Sequence, residues 1–325
     1  MTYQPPYRVT VKITNLLADI AEMLGEIKAI DSIRNTPKLR KKNQIKTITG
    51  TLQIEGNTLS EEKVTALLEG KRVLGTPKEI AEVQGAIAVY EQLPRYNCCN
   101  LDHLLEAHQL MMGQILTRAG QFRSESVGVY GEEGVSHIAP PADRVPALMT
   151  ELFAWLQQTK EHPLISSSVF HYEFEFIHPF IDGNGRIGRL WQTLILSKWN
   201  SLFYMIPVES VIRDYQQDYY QALQQSGSEG ESTIFVEYML KVILQTIQEN
   251  VPVNALENAP VNIEGLKTPE AITALVKQNP EITRQEMAER IGKDIRTIGI
   301  AIRKLQEKGR LKRVGSAKAG YWELL

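Results

Sequence analysis

The sequence predicts a mainly α-helical chain built as two modules, and three observations carry that expectation. Apolar residues recur at helical spacing through most of the first 250 residues. Only one short alternating stretch there, Ser124 to Tyr130, reads as a strand. Formal charge also changes sign along the chain: residues 266–325 hold 13 Lys and Arg against 7 Asp and Glu, net +6, whereas residues 1–265 hold 23 against 31, net −8. A length of 325 residues suits about two domains. With 43% hydrophobic and 23% charged residues, collagen-like, low-complexity and wholly disordered classes are excluded.

The elements follow in order. Ile13 to Ile33 places Leu16, Leu17, Ile20, Met23, Leu24 and Ile27 on one helical side. Thr58 and Glu61 have capping-box spacing and open a helix through Leu67 and Leu68. Ile80–Leu93, Leu101–Leu116, Val145–Thr159 and Leu190–Asn200 read as further helices, and Gly131 and Gly134 turn the Ser124–Tyr130 strand into a short hairpin. Lys38 to Lys42 is a basic run expected as a solvated loop. The Pro- and Asn-bearing stretch 250–265 reads as a linker, giving modules 1–249 and 266–325. In the second, Pro269 starts a helix that turns Ile272, Leu275 and Val276 inward; Thr283 and Glu286 form a capping box ahead of Met287, Ala288 and Ile291. A third helix, from about Ile295 to Lys308, buries Ile295, Ile298, Ile302 and Leu305 and ends at Gly309. Two strand-like runs, Leu311–Val314 and Tyr321–Leu324, flank a loop at 315–320. This order resembles a winged helix-turn-helix domain.

Cys98 and Cys99 are the only cysteines and are adjacent, so no disulfide framework is expected and a reducing compartment is implied. The first residues have neither a basic start nor an apolar core, and no segment reaches the roughly 20 apolar residues of a membrane span. A soluble, cytoplasmic protein is expected.

The chemistry is concentrated in Ile177-His178-Pro179-Phe180-Ile181-Asp182-Gly183-Asn184-Gly185-Arg186-Ile187-Gly188-Arg189. Pro179 stops the apolar helix before it. Gly183, Asn184 and Gly185 tolerate positive φ and can turn backbone N–H groups inward as an anion nest, and Arg186 and Arg189 open the following helix. A phosphate chain suits such a loop. Asp182 is a hard carboxylate suited to Mg²⁺ between phosphates, and His178 is placed to take a proton from a hydroxyl. The alternative is a plain interhelical connection with a helix-end histidine. His171, Glu175 and His178 share a helix face, but Pro179 ends it and no fourth metal ligand follows. His103, His108, His137 and His162 read as structural.

Residues 178–189 resemble the Fic family signature, His-Pro-Phe, two variable residues, Gly-Asn-Gly-Arg and a second Arg three later, and the resemblance covers about residues 1–249. It implies a helical core with a short β-hairpin flap and transfer of AMP from ATP to a Ser, Thr or Tyr hydroxyl of a target protein, including the protein itself. His178 would be the general base and Asp182 would hold Mg²⁺. Gly183 to Gly185 would cradle the phosphates, and Arg186 and Arg189 would bind the β- and γ-phosphates. Upstream, residues 51–57 (Thr51, Glu55, Gly56 and Asn57 at the motif positions) resemble the family's inhibitory helix, in which the glutamate pairs with the second arginine, here Arg189, and fills the γ-phosphate position. The physical logic stands alone, since a carboxylate and a phosphate compete for one guanidinium. Glu55 is also a candidate for activating water in AMP removal, or a surface helix residue.

The stretch 124–131 resembles the family's flap, with Val127, Gly128 and Val129 over the nucleotide and an edge for an extended target segment. Tyr219-Tyr220 lies where relatives place a tyrosine near adenine; packing beside Leu223 is the alternative. In the second module Arg296, Thr297 and Arg303 on the third helix, with Lys293, Lys312, Arg313 and Lys318 around it, suit duplex DNA, and protein docking is the alternative. The combined expectation is an ATP-dependent, Glu55-restrained protein adenylyltransferase, with homo-oligomers compatible. Two rivals stand beside it: a DNA-binding transcription regulator whose Fic module senses a ligand, and a Fic enzyme with another transfer chemistry.

Overall fold

The computed structural model describes residues 3–29, 37–131, 134–250, 263, 265–280, 282–314 and 320–324. Contacts divide the chain into two compact units, Met1–Gly25 with Thr36–Asn250, and Glu26–Asn35 with Val251–Leu325. The expected linker, 250–265, lies outside the described residues except at Asn250, Ile263, Gly265 and the ends of its flanking segments.

The first unit is helical throughout apart from one hairpin. Its elements are α1 (Val11–Ala29, of which the part up to Gly25 belongs to this unit), α2 (Pro37–Ile54), α3 (Glu61–Leu68), α4 (Pro77–Gln92), α5 (Leu101–Met112), β1 (Gly128–Gly131), β2 (Gly134–Ile138), α6 (Val145–Gln158), α7 (Pro163–Ile177), α8 (Asn184–Trp199), α9 (Val208–Asp214), α10 (Gln216–Glu229) and α11 (Thr233–Asn250). At the centre stands α7, buried continuously from Leu164 to Phe174. A helix apolar or small on every side has no solvent face. Ser166, Ser167 and Ser168 fit this environment because the hydroxyls of Ser167 and Ser168 turn back to the Leu164 carbonyl (3.4 and 2.9 Å). Pro163 starts α7, and His162 caps it by accepting the Leu164 N–H on Nδ1. α8 packs against α7 and is likewise buried along most of its length.

Several elements differ from expectation. The basic run at Lys38 to Lys42 is the first turn of α2, not a loop. Thr58 and Glu61 form no capping box: Ser60 precedes α3 without a side-chain cap, and the Thr58 hydroxyl donates to Glu79 instead (2.6 Å). Glu79 belongs to a capping box at Thr76, which opens α4. α5 stops at Met112 and α8 begins at Asn184, six residues before the expected start. The strand begins at Gly128 rather than Ser124, and it pairs antiparallel with β2 through a bulge at Val129/Tyr130.

In the second unit, α12 (Thr268–Gln278), α13 (Arg284–Ile291) and α14 (Ile295–Glu307) precede an antiparallel pair, β3 (Leu311–Val314) and β4 (Tyr321–Leu324). Ile272, Leu275, Val276, Met287, Ile298, Ile302, Leu305 and Trp322 form its core, and the Trp322 indole N–H donates to the Ile282 carbonyl (3.0 Å). Ile295 is not part of this core; it is 54% exposed, because it occupies the first position after the Asp294 cap. Lys318 lies outside the described residues. Among the described residues no helix is long and apolar enough to cross a membrane.

Close helix contact depends on glycine at Gly85, where an added Cβ would stand 2.2 Å from the Met111 carbonyl oxygen of α5. Gly85→Ala is therefore expected to destabilise the first unit by about 1–3 kcal/mol, the range for overpacking a tight contact, measured as a lower urea midpoint.

Candidate active site

Helix α7 ends because Pro179 cannot continue it, and the chain leaves through His178 in the left-handed region (φ 49°, ψ 62°). Among the described residues His178 is the only non-glycine with positive φ. This turn brings the imidazole back beside the last turn of α7, with Nδ1 3.9 Å from Glu175 Oε2. The loop then closes on itself. Asn184 Nδ2 donates to the Phe180 carbonyl and Asn184 Oδ1 accepts the Phe180 N–H, both at 2.8 Å. Asp182 Oδ1 accepts the Gly183 N–H (2.6 Å) and the Arg186 Nη2–H (3.0 Å). Gly183 has φ 87°, and a Cβ there would meet Met112 Cγ at 2.9 Å.

The loop is held from two further sides by residues that sequence reasoning did not assign to it. The Gly120 N–H donates to His108 Nδ1 (2.8 Å), so His108 Nε2 carries the proton and donates to the Asp182 carbonyl (2.9 Å). His108 also stacks on Phe180, centroids 3.7 Å apart. Burial pushes its basicity down to about 4, so the ring is a neutral brace. Arg123, almost fully buried, donates from Nε to the His178 carbonyl (2.8 Å) and from Nη2 to the Ile177 carbonyl (3.2 Å). Its other bonds go to the carbonyls of Glu125 (2.9 Å) and Pro140 (2.5 Å), one on each side of the β1–β2 hairpin. The only hint in the sequence was an arginine beside the predicted hairpin.

The two loop arginines are paired with carboxylates from elsewhere in the chain. Arg189 Nη2 donates to Glu55 Oε1 at 2.6 Å, and Arg189 also donates to the Thr51 hydroxyl (3.0 Å) and carbonyl (3.1 Å). Burial opposes the charge on Arg189, and Glu55, Tyr219 and Glu175 outweigh it, so the guanidinium holds its proton more firmly than usual. Glu55 Oε1 lies so near the start of α8 that a Cβ on Gly185 would be 2.4 Å away. The carboxylate thus occupies the N-terminus of α8, where unpaired N–H groups and the helix dipole favour an anion. Arg186 is held between Asp182 and Glu82 Oε1 (3.2 Å), and Glu82 Oε2 in turn accepts from Asn57 Nδ2 (2.9 Å). Thr51, Glu55 and Asn57 therefore all connect to the loop, and Gly56 supplies the positive φ (85°) that ends α2.

Other expected residues fall differently. Tyr219 is buried, and its hydroxyl donates to His171 Nε2 (3.1 Å); Tyr220, half exposed, is the tyrosine that faces outward near Glu55. Val127 and Gly128 are half-buried at the hairpin's entry, and the Val129 and His137 side chains lie outside the described residues. Asp182 is the loop's exposed carboxylate, 43% accessible. Among the described residues no group of three His, Cys, Asp or Glu is arranged to hold a metal. A single hard carboxylate beside a helix N-terminus is a donor of the kind Mg²⁺ accepts, since that ion takes few protein ligands and keeps its waters. In the second unit, Arg296 and Arg303 are exposed, whereas the Thr297 hydroxyl and N–H both bond the Asp294 carboxylate that caps α14.

Comparison with known proteins follows this geometry. Residues 98–196 match the model of the Fic/DOC family. A Fic family protein of Desulfovibrio desulfuricans G20, known from its crystal structure, is 41% identical, with TM-score 0.75 and 99% of this chain and 98% of that chain covered. This chain belongs to the Fic family. The Fic protein is also similar to "Protein adenylyltransferase Fic" of Culex quinquefasciatus, 27% identical over 237 residues and 70% of this chain, and to "Protein adenylyltransferase fic-1" of Caenorhabditis elegans, 29% identical over 226 residues and 66% of this chain. It spans 45% and 42% of those relatives' lengths.

Behind the loop of this Fic protein, His171 is fully buried, donating from Nδ1 to Gln192 Oε1 (2.7 Å). Burial pushes its protonation down to about 3. An unfolded histidine titrates near 6.5, so between these values the unfolded chain binds the extra proton and stability falls as pH falls. From pH 7 to pH 5 this amounts to about 2 kcal/mol. In urea unfolding at the two pH values, His171→Gln is expected to lose about that much of the wild-type pH dependence; equal dependence in both proteins would contradict a buried neutral ring.

Proposed function

We propose that this Fic protein is a protein adenylyltransferase that moves AMP from ATP to a Ser, Thr or Tyr hydroxyl of a target protein and is held back by Glu55. The observation that carries the reading is the 2.6 Å contact of Glu55 with Arg189, made directly over Gly185 at the start of α8. A carboxylate there takes the guanidinium and the helix terminus that a terminal phosphate would use. ATP then binds with its α-phosphorus out of line until Glu55 withdraws. The names of the curated relatives support the activity.

With Glu55 withdrawn, Arg189 holds the γ-phosphate and the first turn of α8, from Asn184 and Gly185, lies along the phosphate chain. Asp182, oriented by Arg186, would hold Mg²⁺, which when bound neutralises phosphate charge. His178 takes the proton of the target hydroxyl as its oxygen bonds to the α-phosphorus, and the bond to the β-phosphate oxygen breaks, releasing pyrophosphate. Tyr220 offers the exposed ring for the base, and the β1–β2 hairpin covers the nucleotide and receives an extended target segment. The same Glu55 carboxylate would activate water for AMP removal. The two adjacent thiols, 3.9 Å apart and unbridged, suit a cytoplasmic setting.

Purified protein with Mg²⁺ and ATP labelled at the α-phosphate tests this. Wild type should label itself weakly, Glu55→Gly at least about tenfold more, and His178→Ala not at all. The increase corresponds to the roughly 1.5–3 kcal/mol of a hydrogen bond to a charged group. Labelling of Glu55→Gly at the wild-type level would remove the restraint by Glu55.

For the second unit we propose a winged helix-turn-helix fold that contacts duplex DNA through α14. Arg296, Ile300 and Arg303 are exposed on one side of that helix, and Gly299 between them has nothing within 4 Å of an added Cβ. Cations fit the phosphates, and an exposed Ile at this position fits a thymine methyl. Random duplex DNA should be retarded at low salt and released as salt rises, and an Arg296→Ala, Arg303→Ala double variant should bind at least about tenfold more weakly. No retardation at low salt would leave protein docking as the role of this unit.

A further inference from the structure

We propose that Glu175 is a positioning residue for His178, fixing which ring nitrogen carries the proton and so which one accepts the target hydroxyl's proton. The role depends on the adenylyltransferase reading for the identity of the reaction, but not for the pairing itself.

The geometry is specific. Glu175 lies three residues before His178 on the last turn of α7, and the left-handed turn at His178 places Nδ1 3.9 Å from Glu175 Oε2. The carboxyl is only 12% exposed, and its Oε1 has no hydrogen-bond partner. A buried carboxyl is costly, so its retention needs a reason, and Oε2, the oxygen that faces His178, offers one. His171 does not supply one. Its Nε2 approaches Oε1 to 3.8 Å, but that nitrogen already accepts from Tyr219 and its other nitrogen donates to Gln192. Arg189, the nearest cation, is engaged by Glu55 and Thr51. The facing helix also keeps room for this carboxyl: a Cβ on Gly188 of α8 would stand 2.8 Å from Glu175 Oε1.

Among the described residues, the titratable and charged groups around Glu175 are Glu55 just after α2, His171 on α7 and His178 just after it, Arg189 on α8, and Tyr219 and Tyr220 on α10. Burial pushes the Glu175 carboxyl up to about 8, with Arg189 pulling it back and Glu55 adding to the rise. Glu175 Oε2 and His178 Nδ1 face each other, so where one group holds a proton bears on where the other does. With the proton on Nδ1 facing an ionised Glu175, Nε2 presents its lone pair to the substrate. With the proton on the carboxyl facing Nδ1, Nε2 must carry the remaining imidazole proton and accepts nothing. When Nε2 takes the hydroxyl proton, the imidazolium that forms lies beside the Glu175 carboxylate, which stabilises it.

The test uses Glu175→Gln in the full chain, since Gln keeps the size and removes the charge. In the wild-type background, the His178 Cε1–H proton resonance, assigned by its loss in His178→Ala, is followed against pH. Its midpoint is expected about one pH unit lower in Glu175→Gln, the change for removing a neighbouring carboxylate; an unchanged midpoint overturns the pairing whatever the enzyme does. In the Glu55→Gly background, labelling from ATP should show kcat reduced about 10- to 100-fold, KM for ATP unchanged and the acid limb of the rate profile moved down in pH. Equal kcat and an equal profile in an active parent overturn the catalytic part. An inactive Glu55→Gly parent removes the adenylyltransferase reading instead, with the resonance titration still deciding the pairing.

Discussion

Two buried guanidinium groups govern the first unit. Arg186 and Arg189 are each about 2% exposed, and a charge taken out of water must find opposite charge and hydrogen-bond acceptors close by. Each finds a carboxylate far away in the chain, Arg189 at Glu55, beside Thr51, and Arg186 at Glu82, with Asp182 of its own loop as a second partner for Arg186. The end of α2, the middle of α4 and the start of α8 are therefore fixed to one another through charge. Removing one partner leaves the other exposed to the full cost of burial, so these contacts are exchanged for other anions more readily than they are simply broken. A polyphosphate is such an anion.

Around that pair the loop after α7 is braced by neutral groups. His108, kept uncharged by burial, takes the Gly120 N–H and gives its own proton to the Asp182 carbonyl. Asn184 joins the loop's start to its end. Neither of these two braces brings net charge, so among the described residues the electrostatic character of the site is set by Arg123, Arg186, Arg189, Asp182, Glu55, Glu82 and Glu175. This division lets the loop stay rigid while its ionic partners change.

How much was legible in the sequence follows from distance along the chain. His178 to Arg189 is contiguous, and the chemistry of its residue types could be read without a fold. Glu55 sits 134 positions from Arg189, and only a second recognisable motif suggested the contact. Arg123 and His108 had no such aid: their partners lie 55 and 74 positions away, and each looks like an ordinary surface or core residue in isolation. Helix limits failed where local bonding overrode periodicity. The Thr58 hydroxyl serves Glu79 rather than its own helix, and α8 begins inside the glycine loop because Gly183 turns the chain there. Tyr219 and Tyr220 are adjacent and alike in composition; only the packing of α10 against α11 decides which one is buried.

Arg123 has a consequence of its own. One side chain grips four carbonyls: those of Ile177 and His178, and those of Glu125 and Pro140 on either side of the hairpin. The hairpin and the base of the imidazole thus share a single mechanical joint. Any displacement of the hairpin pulls on the peptide of His178 as well, so the two segments move as one rather than as two.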